Sequence, residues 1–186
     1  MSPKLLVFTA PSGAGKTTIV RHLLEKFDQL EFSVSATTRP KREHEVHGKD
    51  YYFLPPETFK RKLENGDFLE WEEVYEGTIY GTLHSEIDRI SNAGKIAVFD
   101  IDVKGALNIK EQYGEDAFTV FVKPPSLEVL IQRLKDRGTE DEAAFEKRVS
   151  RMHYEMSCEK KFDYVLVNDE LQFALNEAES LIKDFL

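Results

Sequence analysis

Four short runs along the chain are almost wholly apolar: Leu5-Leu6-Val7-Phe8, Ile96-Ala97-Val98-Phe99, Phe118-Thr119-Val120-Phe121-Val122 and Tyr164-Val165-Leu166-Val167. Continuous rather than alternating apolar character suits strands buried on both faces. Between and after these runs the apolar spacing becomes helical, with Ile19, Val20, Leu23, Leu24 and Phe27 behind the first run. Leu171, Leu175, Ala178, Leu181, Ile182 and Phe185 repeat the pattern behind the last. The alternation predicts an α/β fold, a mainly parallel sheet flanked by helices. Asp169 is placed to cap the final helix, and Thr139 with Glu142 has the spacing of a capping box.

Two stretches break this rhythm. From Phe32 to Thr82 the chain is rich in Tyr, Phe, Thr and turn residues, with a short helix expected near Glu57–Leu63. It reads as a small β-rich insertion on the core. Arg133–Arg151 reads as a highly charged helical pair flanking Gly138. Both are expected at one end of the sheet, as parts free to move. No repeat or low-complexity tract divides the chain.

The chain has 186 residues, enough for one well-buried core, with 41% apolar and 32% charged residues. A formal net charge of −9 opposes a dedicated nucleic-acid binder, which needs a positive field. The single cysteine, Cys158, excludes an internal disulfide framework and fits a reducing compartment. No apolar stretch approaches the roughly 20 residues of a membrane span, and the start, Met1 to Phe8, is too short for a signal peptide's apolar region. The expectation is one cytoplasmic domain with neither nucleic acid nor membrane as partner; oligomeric state stays open.

Candidate chemistry begins directly after the first strand. Ala10-Pro11-Ser12-Gly13-Ala14-Gly15-Lys16-Thr17 matches a phosphate loop read backwards from Gly15-Lys16-Thr17, with Ala10 in place of the first Gly. Gly13 and Gly15 let backbone N–H groups wrap a phosphate chain, and the helix N-terminus that follows adds a favourable dipole. Lys16 offers a point charge to the β- and γ-phosphates, and the Thr17 hydroxyl is suited to Mg²⁺. Ala10 is tolerated if its backbone torsions are ordinary. Further on, Asp100 and Asp102 end a buried strand where ligands of parallel sheets bind. One carboxylate there can orient Mg²⁺, directly or through water; the plainer alternative is that they cap the next helix. A guanine-nucleotide switch would need Asn-Lys-x-Asp, and Asn168-Asp169 lacks that Lys.

Together these residues resemble the guanylate kinase family, and the likeness runs through nearly the whole chain. It is carried most specifically by Ser33-Val34-Ser35-Ala36-Thr37-Thr38-Arg39 with Arg42, Glu45, Gly48 and Asp50-Tyr51. Phe68-Leu69-Glu70-Trp71, Tyr80-Gly81-Thr82, Asp100-Ile101-Asp102 and Arg137-Gly138-Thr139 complete it. Ala10, Lys41 and His44 depart from the pattern, the last two in a loop that usually carries Pro and Gly.

The resemblance implies transfer of a phosphoryl group from Mg·ATP to GMP, with acceptance of dGMP open. It implies a phosphate-loop NTPase-type core at about 1–31, 84–130 and 152–186, a GMP-binding insertion at about 32–83 and a lid at about 131–151. Donor binding falls to Ala10 through Thr17 with Arg133 and Arg137, and catalysis to Lys16, Arg39, Arg137 and Arg148. Arg39, Arg42, Tyr51 and Tyr80 resemble the clamp for the acceptor phosphate, since guanidinium forks bind phosphate oxygens in pairs. Glu70 resembles the carboxylate that accepts the adjacent N1–H and N2 donors of guanine. Asp102 supports it, Ser35 and Thr82 meet the remaining polar edge, and Asp100 and Arg148 complete the GMP set. Thr17 would hold the Mg²⁺, with Asp100 reaching it through water. Asn168 is set to approach the adenine.

Other polar residues are expected to be ordinary. His22, His44, His47, His84 and His153 form no metal set, Cys158 reads as an inert helix residue, and Trp71 as packing. Glu72 and Glu73 read as exposed strand carboxylates. Two rival readings are a non-catalytic scaffold domain of the same fold, opposed by Lys16, Thr17, Arg137 and Arg148, and a kinase for another nucleoside monophosphate, opposed by Glu70.

Overall fold

The computed structural model describes residues 4–75, 77–136 and 142–186. In chain order the elements are β1 (Leu5–Thr9), α1 (Lys16–Lys26), β2 (Leu30–Phe32), β3 (Ala36–Thr37), β4 (Tyr52–Phe53) and α2 (Pro56–Glu64). Then come β5 (Phe68–Tyr75), β6 (Thr78–Leu83), α3 (His84–Asn92), β7 (Ile96–Ile101) and α4 (Val103–Tyr113). The chain ends with β8 (Ala117–Lys123), α5 (Leu127–Asp136), α6 (Glu142–Ser157), β9 (Tyr164–Val167) and α7 (Leu171–Phe185).

A five-stranded parallel sheet in the order β2-β7-β1-β8-β9 forms the centre. Its apolar runs are unbroken because helices cover both faces. Along β1, Leu6 and Phe8 face the cluster holding Ile19, Val20 and Leu23 of α1 and Ala174, Ala178 and Ile182 of α7. Leu5 and Val7 face the opposite cluster, with Ile87 and Ile90 of α3 and Val103, Ala106 and Ile109 of α4. The expected α/β architecture is therefore observed.

The stretch read as β-rich folds into a second, four-stranded sheet in the order β4-β3-β6-β5. β5 and β6 form an antiparallel hairpin, β6 pairs antiparallel with β3, and β3 pairs parallel with β4. Its own small core joins Phe59 of α2 to Ala36, Phe68 and Leu83. The helix expected near Glu57–Leu63 is α2, opened by Pro56 at a position where its missing N–H costs nothing.

Three local expectations are corrected. Glu170, not Asp169, stands at the N-cap of α7, and no side chain caps that end. Trp71 is 51% exposed rather than packed, because Glu70 and Glu72 occupy the inward face of β5 and Trp71 alternates outward. Cys158 is buried and follows α6 rather than lying in it. Thr139 of the expected capping box lies outside the described residues.

Phe59 is fully buried and stacks on Phe68 at 4.4 Å between ring centroids. Phe59→Ala is expected to cost about 3–5 kcal/mol in denaturant unfolding. Amide exchange should rise first in β3 and β6; uniform change across both sheets would contradict a separate small core.

Candidate active site

The loop after β1 is shaped by two glycines. Gly13 and Gly15 adopt φ of 88° and 93°, which a side chain disfavours, and the Ala14 N–H donates to the Pro11 carbonyl at 3.1 Å. No non-glycine among the described residues has positive φ, so Ala10 sits in ordinary backbone and replaces Gly without strain. Gly15 caps α1, and the first turn of that helix carries no acidic residue. Its positive dipole end is left for an anion.

Asn168 proves to be a clamp on this loop. It is buried, its Nδ2 donates to the Ala14 carbonyl at 2.7 Å, and a Cβ on Gly15 would come within 2.3 Å of that nitrogen. The side chain fixes the loop from beneath.

Pairing of β1 with β7 sets Phe8 beside Asp100 and brings that carboxylate under the loop. The Thr17 hydroxyl donates to Asp100 Oδ2 at 2.6 Å, and Lys16 Nζ lies 2.7 Å from Asp100 Oδ1. Lys16 Nζ also donates to the Ile101 carbonyl at 2.7 Å. Asp100 thus serves the loop and caps nothing, while Asp102 does cap α4, accepting from the Gly105 N–H at 2.9 Å.

Two crevices open here. The larger, about 560 Å³, runs along residues 10–18 to Arg148, Arg151 and Glu155. The smaller, about 240 Å³, is lined by Ser35, Glu70, Glu72 and Tyr80. Lys16, Tyr51, Asp100, Asp102 and Arg151 line both.

Glu70 is buried and accepts from the Thr82 hydroxyl at 2.6 Å. Burial pushes its pKa up to about 7; the charges of Asp102 and Glu72 add to the rise, and the Thr82 hydrogen bond opposes it. Helix α4 approaches so closely that a Cβ on Gly105 would sit 2.8 Å from Glu70 Oε2, so any side chain there would make the carboxylate shift from its present place.

Beside this crevice Tyr51 and Tyr80 pack ring to edge at 5.8 Å. The Arg39 guanidinium lies over Tyr51 at 4.9 Å, donates to the Tyr80 hydroxyl and forks onto Glu45 through bonds of 2.7 and 2.5 Å. That fork holds the Glu45 carboxyl at about 2, well below the usual carboxylate range. Arg42 is exposed on the adjoining loop and its backbone N–H donates to Glu45 at 2.8 Å. The Arg133 side chain and Arg137 lie outside the described residues.

Sequence reasoning passed over several site residues. Glu72, expected to be exposed, shares the inward face of β5 with Glu70; its side chain is 15% exposed, and burial with the nearby Asp102 raises its pKa. Arg151 lies near Glu72 and Asp102 and donates to Glu155 at 2.8 Å. The two-residue spacing from Glu70 and the three-residue spacing from Arg148 were the available signals.

Comparison with known proteins identifies the family. The family model described as Guanylate kinase matches residues 2–185. The guanylate kinase of Bacteroides thetaiotaomicron is 48% identical over 186 residues, covering 100% of this chain and 91% of its own. That of Thermotoga maritima is 44% identical over 183 residues, 98% of this chain and 87% of its own. The crystal structure of guanylate kinase from Anaplasma phagocytophilum superposes with a TM-score of 0.78 at 30% identity, covering 98% of this chain and 85% of that one.

In the ligand-free fold Glu70 keeps its proton to about pH 7, against an unperturbed 4.5. The folded chain binds more protons than the unfolded one between those values, so this group's contribution to stability falls as pH rises through them. The stability difference between the chain and Glu70→Gln should shift against the native residue by about 3 kcal/mol from pH 4.5 to pH 8, measured by denaturant unfolding. A difference independent of pH would contradict the buried placement.

Proposed function

The chain belongs to the guanylate kinase family, and from that premise we propose how its two crevices divide the work of transferring the γ-phosphoryl group of ATP to GMP. It is an enzyme, a guanylate kinase with ATP and GMP as small-molecule substrates. The observation that supports the division is that the crevices share Lys16 and Asp100. Two nucleotides seated base-outward in them would meet phosphate to phosphate at the loop lysine.

The donor triphosphate lies along Ala10–Thr17, where the amides around Gly13 and Gly15 and the N-terminus of α1 meet its charge. Lys16 moves from Asp100 and Ile101 toward the β- and γ-phosphates. Arg148, already lining this crevice, and Arg133 and Arg137 from the lid at about 131–151 add cations where charge builds on the transferred group.

The acceptor lies in the smaller crevice, within the part at about 32–83. Ionised Glu70 accepts both guanine donors, with Ser35, Thr82 and Asp102 around the remaining edge. Arg39, Tyr51 and Tyr80, already packed together, bind the acceptor phosphate, and Arg42 swings in from its exposed loop. Phosphate takes the place of Glu45 on the Arg39 fork. The attacking oxygen is already anionic, so no general base is needed; positioning and electrostatics carry the reaction.

Mg²⁺ fits beside the loop: Thr17 and Asp100 present hard oxygen donors within 2.6 Å of each other, the type that the ion takes in small number with phosphate and water. Bound there with ATP, Mg²⁺ neutralises phosphate charge. No helix among the described residues is long and apolar enough to cross a membrane. ATP as donor and a single buried thiol support a cytoplasmic place of work.

ADP formation from Mg·ATP should be measured with GMP, dGMP, AMP, CMP and UMP as acceptors. Strong turnover is expected with GMP, with or without dGMP, and Lys16→Met should lower it by about 10²-fold or more while the fold survives. Glu70→Gln should erode discrimination against AMP, which for hydrogen-bonded recognition reaches roughly 10⁴-fold. Near-normal turnover by Lys16→Met, or unchanged discrimination by Glu70→Gln, would overturn the role concerned.

A further inference from the structure

Arg151 lies on α6 three residues after Arg148, so the two share a helix face, and both line the larger crevice. Its Nε donates to Glu155, on its own helix, at 2.8 Å. Its Nη2 points across to other elements, 3.6 Å from Asp102 Oδ2 at the end of β7 and 3.7 Å from Glu72 Oε2 on β5. Asp102 spends Oδ1 on the cap of α4. Glu72 Oε2 is buried with no nitrogen donor within hydrogen-bond distance; Glu72 stands against the Asp102 carboxyl, and Lys104 Nζ lies 3.3 Å from its other oxygen, Oε1.

Two carboxyl groups crowded together at a partly buried site are costly unless a proton or a cationic donor stands between them. Arg151 is the group placed to do so. A small inward movement of the guanidinium would bring it toward charge-assisted hydrogen-bond distance, about 2.7–2.9 Å, of these carboxylates. Glu72 sits two residues from Glu70 on the same face of β5, and its charge already acts on the Glu70 carboxyl.

We propose that Arg151 is a positioning residue for the transfer: it ties Glu72 and Asp102, beside the acceptor base, to the helix that carries Arg148 to the donor phosphates. Seating guanine against Glu70 and Asp102 brings β5 and α6 together through Arg151, and Arg148 advances with the helix. Arg151 touches neither nucleotide's reacting atoms. The proposal rests on the assignment of the smaller crevice to GMP.

The test is steady-state kinetics of Arg151→Met, Arg151→Lys and Glu72→Gln, with GMP and ATP varied separately and the unaltered enzyme run alongside. Arg151→Met is expected to raise the KM for GMP about tenfold and lower kcat about tenfold, an ordinary size for coupling between sites, with the KM for ATP changed less than about twofold. Arg151→Lys should restore most of the KM for GMP. Glu72→Gln should move the same parameters in the same direction, and the Glu72→Gln/Arg151→Met double variant should lose no more than Arg151→Met alone. An Arg151→Met enzyme with the native KM for GMP and native kcat overturns the proposal, as does one that loses thermal stability alone. If Arg151→Met does not fold, unchanged GMP kinetics in Glu72→Gln overturns it instead. Failure of the unaltered enzyme to use GMP would instead strike the acceptor-site assignment.

Discussion

Parallel pairing of β1 with β7 sets Phe8 beside Asp100 and Thr9 beside Ile101, and the polar groups of both crevices take their places from that register. The loop leaving β1 must pass over the end of β7, where Asp100 receives the Thr17 hydroxyl and the Lys16 ammonium, and the Ile101 carbonyl a further Lys16 proton. One residue on, Asp102 turns the chain into α4, whose Gly105 admits the Glu70 carboxylate from the second sheet. A slip in this pairing would part the loop from its carboxylate and α4 from Glu70 together.

The acceptor side is built under electrostatic tension. Glu70, Glu72 and Asp102 crowd one small crevice; burial and mutual repulsion favour the protonated forms of the two glutamates. On the proposed assignment, a base that presents two adjacent N–H donors to Glu70 would relieve that tension, and one that presents none would leave the carboxyl with only the Thr82 hydroxyl. On that assignment, discrimination and burial would be the same feature viewed with and without ligand. The proposed acceptor-phosphate clamp would be prepared in a comparable way, since Glu45 occupies the Arg39 fork that a phosphate would take.

Much of this was legible in the sequence, for identifiable reasons. Buried parallel strands read clearly because unbroken runs such as Leu5–Phe8 need apolar residues on both faces. The phosphate loop read clearly because only glycine tolerates the torsions found at Gly13 and Gly15. Strands β3 and β4, two residues each, carry too little pattern to be read singly, and only the composition of that stretch marked it as β-rich. The loop contact of Asn168 and the packing of Gly105 have no local signal because each acts through a contact distant in the chain, with Ala14 and Glu70 respectively. Glu72 looked like an exposed carboxylate because local sequence does not say which face of a hairpin meets a helix. Arg151 looked like the end of a charged segment, and its meaning appears only when β5, β7 and α6 converge.

The central claim is that two nucleotides meet phosphate to phosphate at Lys16, with guanine held by Glu70. A crystal structure determined with ADP, Mg²⁺ and GMP tests it most directly. The account predicts the ADP phosphates along residues 10–17, the guanine N1–H and N2 donors on the Glu70 carboxylate, and the GMP phosphate directed at Lys16 between Tyr51 and Tyr80. GMP bound outside the smaller crevice, or guanine beyond hydrogen-bonding distance of Glu70, would contradict it.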